Sequence, residues 1–227
     1  MVKRVIGMVG MCLVLLVVAL GCGGKETTPK MDIATGVSAL VALADSYIES
    51  CVNSMKVLAM TQEVQSENWE EMVGLLTKVD QIQVPGTRWF VLPDGSYFTV
   101  ELGKTDKNLS DRAYFPRLMA GNNVLGDLVV SKSTGKKSLV AAVPVMKEGK
   151  VIGGLGTSIF LNDLSDILAE ELGLSDSMVF YAVSAENEVA LHSNTESILQ
   201  EPPDLPKNVV YKTSSLTGWR FALGFRD

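Results

Sequence analysis

Residues 110–164, SDRAYFPRLMAGNNVLGDLVVSKSTGKKSLVAAVPVMKEGKVIGGLGTSIFLNDL, limit what this chain can fold into more than any other stretch. β-rich runs at 128–131 and 138–146 are joined by a Ser-Thr-Gly-Lys turn at 133–136. Glu148-Gly149-Lys150 makes a second turn before a Gly-rich run at 151–160. Strands joined by turns this short pair as antiparallel neighbours. Three meandering strands present a concave face. At the head of the stretch, Arg112 stands beside Tyr114 and Phe115. A guanidinium meets a carboxylate bidentately, and aromatic faces shield the pair from water. The pattern therefore predicts a small-ligand pocket on a sheet. The alternative is a structural ion pair of Arg112 with Asp111 or Asp127.

Upstream, Ile33, Val37, Leu40, Val41, Ala44, Ile48, Val52, Met55 and Ala59 recur at three- and four-residue steps. That spacing predicts a helix from a cap at Asp32 to about residue 65, on the order of 50 Å long. The stripe is Ala-rich and lacks strong leucine knobs, which argues against a free coiled coil. A second helix is expected over 67–79, with Trp69, Met72, Val73 and Leu76 as its inner face. Pro93-Asp94-Gly95 marks a tight turn between strands at 89–92 and 96–100. Trp89 and Tyr97 alternate on these strands and suit either the core or a pocket wall. Residues 106–111 read as a polar loop.

A helix is expected after residue 164, to about 172. Four short strands follow, at 178–183, 188–192, 209–213 and 219–225, with a Pro-rich loop at 201–206 between the two pairs. This unit of about 50 residues is too small to bury a stable core alone, so it should pack on the main lobe or on the long helix. The fold class is α+β. With 227 residues, 47% hydrophobic and 20% charged, the chain suffices for one sizeable domain and this appendage.

The N-terminus reads as a targeting segment. Lys3 and Arg4 form a positive region, and residues 5–19 an apolar one. Ala19-Leu20-Gly21-Cys22-Gly23-Gly24 resembles a bacterial lipobox, although the usual pattern prefers leucine where Ala19 stands and a small residue at Leu20. The resemblance implies cleavage before Cys22 and its lipidation, with enough acyl chains for stable membrane anchoring. An uncleaved anchor is the alternative, but the apolar run is short for a span. The localisation implied is the cell envelope, on its periplasmic or extracellular face. Gly23 is not the aspartate of an inner-membrane retention signal, which favours the outer membrane.

Lys3 and Arg4 would leave with the leader. The 20 basic residues then fall to 18 against 26 acidic ones, a formal net charge of −8, which argues against nucleic acid as a partner. Cys12 would also leave, and Cys51 would remain as a lone buried small hydrophobe without a disulfide partner. His192 is the only histidine, so the usual zinc spacings are not met. No G-x-S-x-G or P-loop occurs. Gly153-Gly154-Leu155-Gly156 lies within a strand pattern and marks close packing. Neither catalytic residues nor a metal or cofactor is expected.

DRAYF (111–115), SKSTGK (131–136), VAAVPV (140–145) and GKVIGGLGTSIFLNDL (149–164), in this order, resemble the Cache family of extracellular PAS-like sensor domains of bacterial receptors. The resemblance spans about residues 28–168, and the tail looks like a reduced second lobe of a double Cache domain. After the leader at 1–21 and a tether at 22–30, it implies a Cache domain at 31–172 and a small β lobe at 173–227. It further implies an antiparallel sheet of five or six strands, a long N-terminal stem helix, and a pocket for small carboxylates, amino acids or related metabolites.

Carried over by position, Arg112 would grip a ligand carboxylate. Tyr114 and Phe115 stand where the family has a Trp-Tyr pair, and Val129 replaces a further tyrosine. Ser158 occupies the place of the aspartate that binds an ammonium group. Without that counter-charge, an α-amino acid is disfavoured, and a plain carboxylate or neutral polar ligand is favoured. Asp127, Ser131 and Ser133 offer further donors and acceptors, or simply build the turn, and Tyr97 is a candidate wall. The expected protein is a lipid-anchored envelope sensor that signals through a partner envelope protein, or delivers its ligand. The alternative is a structural or adaptor lipoprotein with an empty Cache fold.

Overall fold

The computed structural model describes residues 32–202 and 209–225. The expected leader, Cys22, the tether and most of the Pro-rich loop lie outside the described residues. Helix α1 (Ile33–Leu58) begins at Asp32, whose carboxylate accepts the Thr35 N–H at 3.1 Å, the expected N-cap. Its 26 residues make it about 39 Å long. It ends earlier than the apolar periodicity suggests, and Thr61 is the reason. The Thr61 hydroxyl donates to the Leu58 carbonyl at 2.8 Å, and the Thr61 N–H donates to the same oxygen. Thr61 then caps a new single turn, α2 (Gln62–Gln65). Such local hydroxyl bonds compete with continued helix. Helix α3 (Trp69–Asp80) starts two residues later than expected. Glu67 lies in the left-handed region at φ 60°, and the Asn68 side chain caps the Glu70 N–H at 3.2 Å.

Strands β1 (Gly86–Val91), β2 (Ser96–Thr99), β3 (Gly103–Asn108), β4 (Val124–Val130), β5 (Lys137–Lys147) and β6 (Lys150–Phe160) form one sheet, in the order β3-β2-β1-β6-β5-β4. Every pairing in it is antiparallel. The expected meander is β4-β5-β6. Strand β3 corrects the polar-loop reading over 106–108, while 109–111 lie outside the strands as expected. Its sequence, GKTDKN, carries no apolar side chain; its hydrogen bonds to β2 hold it, with Thr105 donating its hydroxyl to the Tyr97 carbonyl at 3.1 Å. Charged side chains suit such an exposed edge. Strand β4 begins four residues earlier than expected, because Gly126, at φ 98°, carries a bulge between Leu125 and Asp127. The short helix α4 (Phe115–Met119) precedes β4. Helix α5 (Leu161–Glu171) follows β6 directly, four residues before the expected start.

A second antiparallel sheet, in the order β8-β7-β10-β9, comprises β7 (Met178–Val183), β8 (Val189–His192), β9 (Val210–Thr213) and β10 (Arg220–Phe225). Helix α1 serves both sheets. Val37, Leu40, Val41, Ala44 and Ile48 share one core with Leu139 and Ile159 of the first sheet and with Phe180, Phe221 and Leu223 of the second. Met55 and Ala59 join Met72, Leu76, Phe90 and Leu155 in another. The small β unit thus completes its core on the long helix. Cys51 lies on the same stripe, fully buried, and burial pushes its thiol up to about 11.

The other face of the first sheet is shaped by glycines. A Cβ at Gly156 would stand 2.4 Å from Cζ2 of Trp89, and one at Gly154 would stand 2.5 Å from Cδ2 of Leu118. These strand glycines therefore mark close packing, as expected. Gly156→Ala is expected to lower stability by about 1–3 kcal/mol, the range for overpacking, and to shift the tryptophan fluorescence. Urea unfolding of the variant measures this. Unchanged stability would contradict the close approach.

Candidate functional site

On the sheet face turned away from α1, Trp89 of β1 lies directly across from Gly156 of β6, and Tyr97 of β2 lies across from Val91. Period-two alternation therefore puts Trp89, Val91 and Tyr97 on one face. The Trp89 ring fills the space above Gly156, and its indole N–H donates to the Ser158 hydroxyl at 3.1 Å. Tyr114 stacks on Trp89, with ring centroids 6.3 Å apart and planes inclined by 29°. Burial pushes the Tyr114 phenol up, against the opposing pull of Arg112, so it stays protonated at neutral pH.

A cavity lies over this floor. Trp89, Tyr97, Leu109, Arg112, Tyr114, Val129, Ser131, Lys132, Ser133 and Ser158 line it. It leaves about 20 Å³ for a water-sized sphere, within an empty volume of about 280 Å³ that opens to solvent. Room for about one water means that a carboxylate needs the rim to move.

The rim holds two cations. Nη2 of Arg112 donates to the Val130 carbonyl at 2.6 Å. Nζ of Lys132 donates to the Asn108 carbonyl at 2.8 Å and to Asp111 Oδ1 and Oδ2 at 2.5 and 2.7 Å. The Lys132 contact, the largest cause, holds the Asp111 carboxyl below its usual range. Among the described residues, no acidic side chain lines the cavity. Deeper in, the Tyr97 side chain is 2% exposed, and its hydroxyl has no hydrogen-bond partner among the described residues. Because the Trp89 N–H occupies an acceptor site on Ser158, that hydroxyl keeps its own proton for another acceptor. The lining therefore offers donors and positive charge, which suits an anion.

Of the residues singled out from the sequence, the fold brings Arg112, Tyr114, Ser131, Ser158 and Tyr97 together around this cavity. Two stand apart. Phe115 opens α4 with its side chain in the hydrophobic core beneath. Asp127 pairs with Arg117, its two oxygens accepting from Nη2 at 2.5 and 2.7 Å, and faces a different cleft. Arg112 makes neither ion pair weighed for it: among the described residues, Asp127 pairs with Arg117 and Asp111 with Lys132. Ser131 also builds its turn, since its hydroxyl accepts the Thr134 N–H at 3.3 Å. Lys132 and Leu109 were not singled out. Strand alternation locates Trp89, but a lysine in a polar turn carries no signal that it faces inward.

No protein-family model matches the chain, and no curated protein matches it. Solved structures match over most of its length. The ligand-binding domain of the Pseudomonas fluorescens chemoreceptor CtaA, in complex with L-valine, shares 12% identity at a TM-score of 0.69, over 86% of this chain and 96% of that one. The ligand-binding domain of the Pseudomonas aeruginosa amino-acid chemoreceptor PctC, in complex with GABA, shares 15% at 0.63, over 84% and 94%. The sensor domain of the Vibrio cholerae histidine kinase DctB shares 12% at 0.59, over 82% and 94%. Identities this low speak for the fold alone. That fold, a long N-terminal helix with antiparallel sheets, is α+β and PAS-like.

The unpartnered Tyr97 hydroxyl gives a test. A buried polar group without a partner costs about 1–3 kcal/mol. Tyr97→Phe should therefore keep or raise the melting temperature of the unliganded protein. A clear fall in a thermal melt would mean that the hydroxyl has a partner in solution.

Proposed function

We propose that this protein is an extracytoplasmic ligand-binding domain, held at the envelope by lipid on Cys22, that takes a small carboxylate between its two rim cations. The carrying observation is the cavity lining: Arg112 and Lys132 with hydroxyl donors, and no acidic group. Arg112 supplies the bidentate fork and Lys132 a second positive charge. Tyr114 and Trp89 wall the site. Ser131, Ser158 and Tyr97 meet the rest of the ligand, while Phe115 supports the site from the core and Asp127 acts through Arg117. The structural neighbours include domains crystallised with L-valine and with GABA, which supports a small-molecule role. An ammonium group, however, would find no counter-charge in this cavity.

The two sheets on one stem helix support a double-Cache organisation, with a main lobe at 31–172 and a reduced lobe at 173–227. No helix among the described residues is long and apolar enough to cross a membrane; the proposed anchor is the acyl chains on Cys22. Occupancy would pass to a partner envelope protein, or the ligand would be delivered to one. The second reading, an adaptor with an empty fold, draws on the small space in the cavity.

A thermal-shift screen of small carboxylates separates the two readings, because a ligand that binds only the folded state raises the melting temperature. Calorimetric titration of Arg112→Ala with a carboxylate that shifts the wild type should show a loss of about 2–5 kcal/mol. Arg112→Lys should recover part of it, since the planar fork is lost. Equal affinities would remove Arg112 from the site, and a screen without a shift would favour the adaptor. Separately, mass spectrometry of the native protein should find acyl mass on Cys22. An unmodified Cys22 would refute the anchor.

A further inference from the structure

Lys132 lines the cavity, yet its ammonium donates only to groups of the chain: the Asn108 carbonyl and both oxygens of Asp111. Asp111 itself is not part of the lining. Its side chain is 68% exposed, against 25% for Lys132. Its neighbour Arg112 does line the cavity. Adjacent residues thus place one cation in the wall and one carboxylate on the rim, where the carboxylate holds the second cation. The Asp111–Lys132 contact and the Arg112–Val130 bond together tie segment 108–112 to segment 130–132 across the mouth. The space inside is too small for a carboxylate while this rim stays closed.

A ligand carboxylate and the Asp111 side chain are the same chemical group. We propose that Asp111 is a built-in competitor for the ligand: it holds Lys132 in the empty site, and the bound carboxylate displaces it. This rests on the carboxylate reading above and extends it to the control of access. The exchange conserves charge pairing, with one carboxylate replacing another on the same ammonium. An exposed ion pair is weak, so displacement is within reach of a small ligand. It also carries a consequence for signalling. Binding frees Asp111 and removes one of the ties between segment 108–112 and segment 130–132, beside the Lys132–Asn108 and Arg112–Val130 bonds, so occupancy is reported at the rim. The apparent affinity of the wild type is reduced by the fraction of molecules in which Lys132 is held.

The test is calorimetric titration with acetate, and with acetamide as its uncharged isostere. The proteins are wild type, Asp111→Asn, Lys132→Gln and the double variant, each checked first for an unchanged melt. Asp111→Asn should tighten acetate by about two- to fivefold, the population that a surface ion pair holds, and leave acetamide unchanged. The gain should vanish in the Lys132→Gln background. Acetate bound equally or less tightly by Asp111→Asn than by wild type would overturn the competitor and leave the carboxylate site standing. A gain that persists without Lys132 would also overturn it, as a general effect of removing a negative charge. Acetate that binds neither wild type nor Asp111→Asn would overturn the carboxylate reading itself, and the competitor with it.

Discussion

The site depends on one missing side chain. Gly156 leaves the strand β6 bare where the Trp89 indole crosses it, and any Cβ there would overlap the ring. With the indole in that position, its N–H reaches Ser158 and its face receives Tyr114. Gly154 plays the same part for Leu118, which brings α4 down onto the sheet. The opposite face keeps large residues, Leu155 and Ile159, for the helical cores. One strand thus divides its alternate positions between a stability face and a site face. Strand periodicity allows this division, and the glycines give the site face its depth.

Two arginines show how environment separates structure from function. Arg88, on the helical side, is fully buried. It donates to Asp80 at 2.6 Å, to the Gly86 carbonyl at 2.9 Å and to the Val84 carbonyl at 2.9 Å. Its Nε has no partner among the described residues, but these bonds offset much of the cost of burying the charge and tie the end of α3 to β1. Arg112 is half-buried and holds a single backbone oxygen. Its other N–H donors make no hydrogen bond among the described residues. Acidic groups near the site are engaged elsewhere: Asp127 by Arg117, and Asp111 by Lys132 outside the lining. The charged side chains that line the cavity, Arg112 and Lys132, are therefore both cations.

Much of this fold is legible in the sequence. The stripe from Ile33 to Met55, the meander through Gly135 and Gly149, and the strand glycines all follow from local spacing. What was hidden depends on contacts distant in sequence. Strand β3 has no apolar pattern, because it is an edge held by backbone bonds to β2. The start of β4 was masked by its bulge at Gly126. Phe115 and Tyr114 look alike as aromatic neighbours, and both are buried in one cluster, but only Tyr114 also lines the cavity. Asp127 was drawn away by Arg117, a residue whose partner no spacing rule identifies. The inward position of Lys132 depends on where the 131–136 turn folds over the sheet.

The central claim is that this cavity accepts a carboxylate and rejects an ammonium. Lactate and L-alanine test it most directly, since they share a skeleton and a carboxylate and differ only in hydroxyl against ammonium. Calorimetric titration of the wild-type protein with each should find lactate bound and L-alanine weaker by at least about tenfold, because an ammonium buried without a counter-charge, beside two cations, is costly. L-alanine bound as tightly as lactate, or more tightly, would contradict the account.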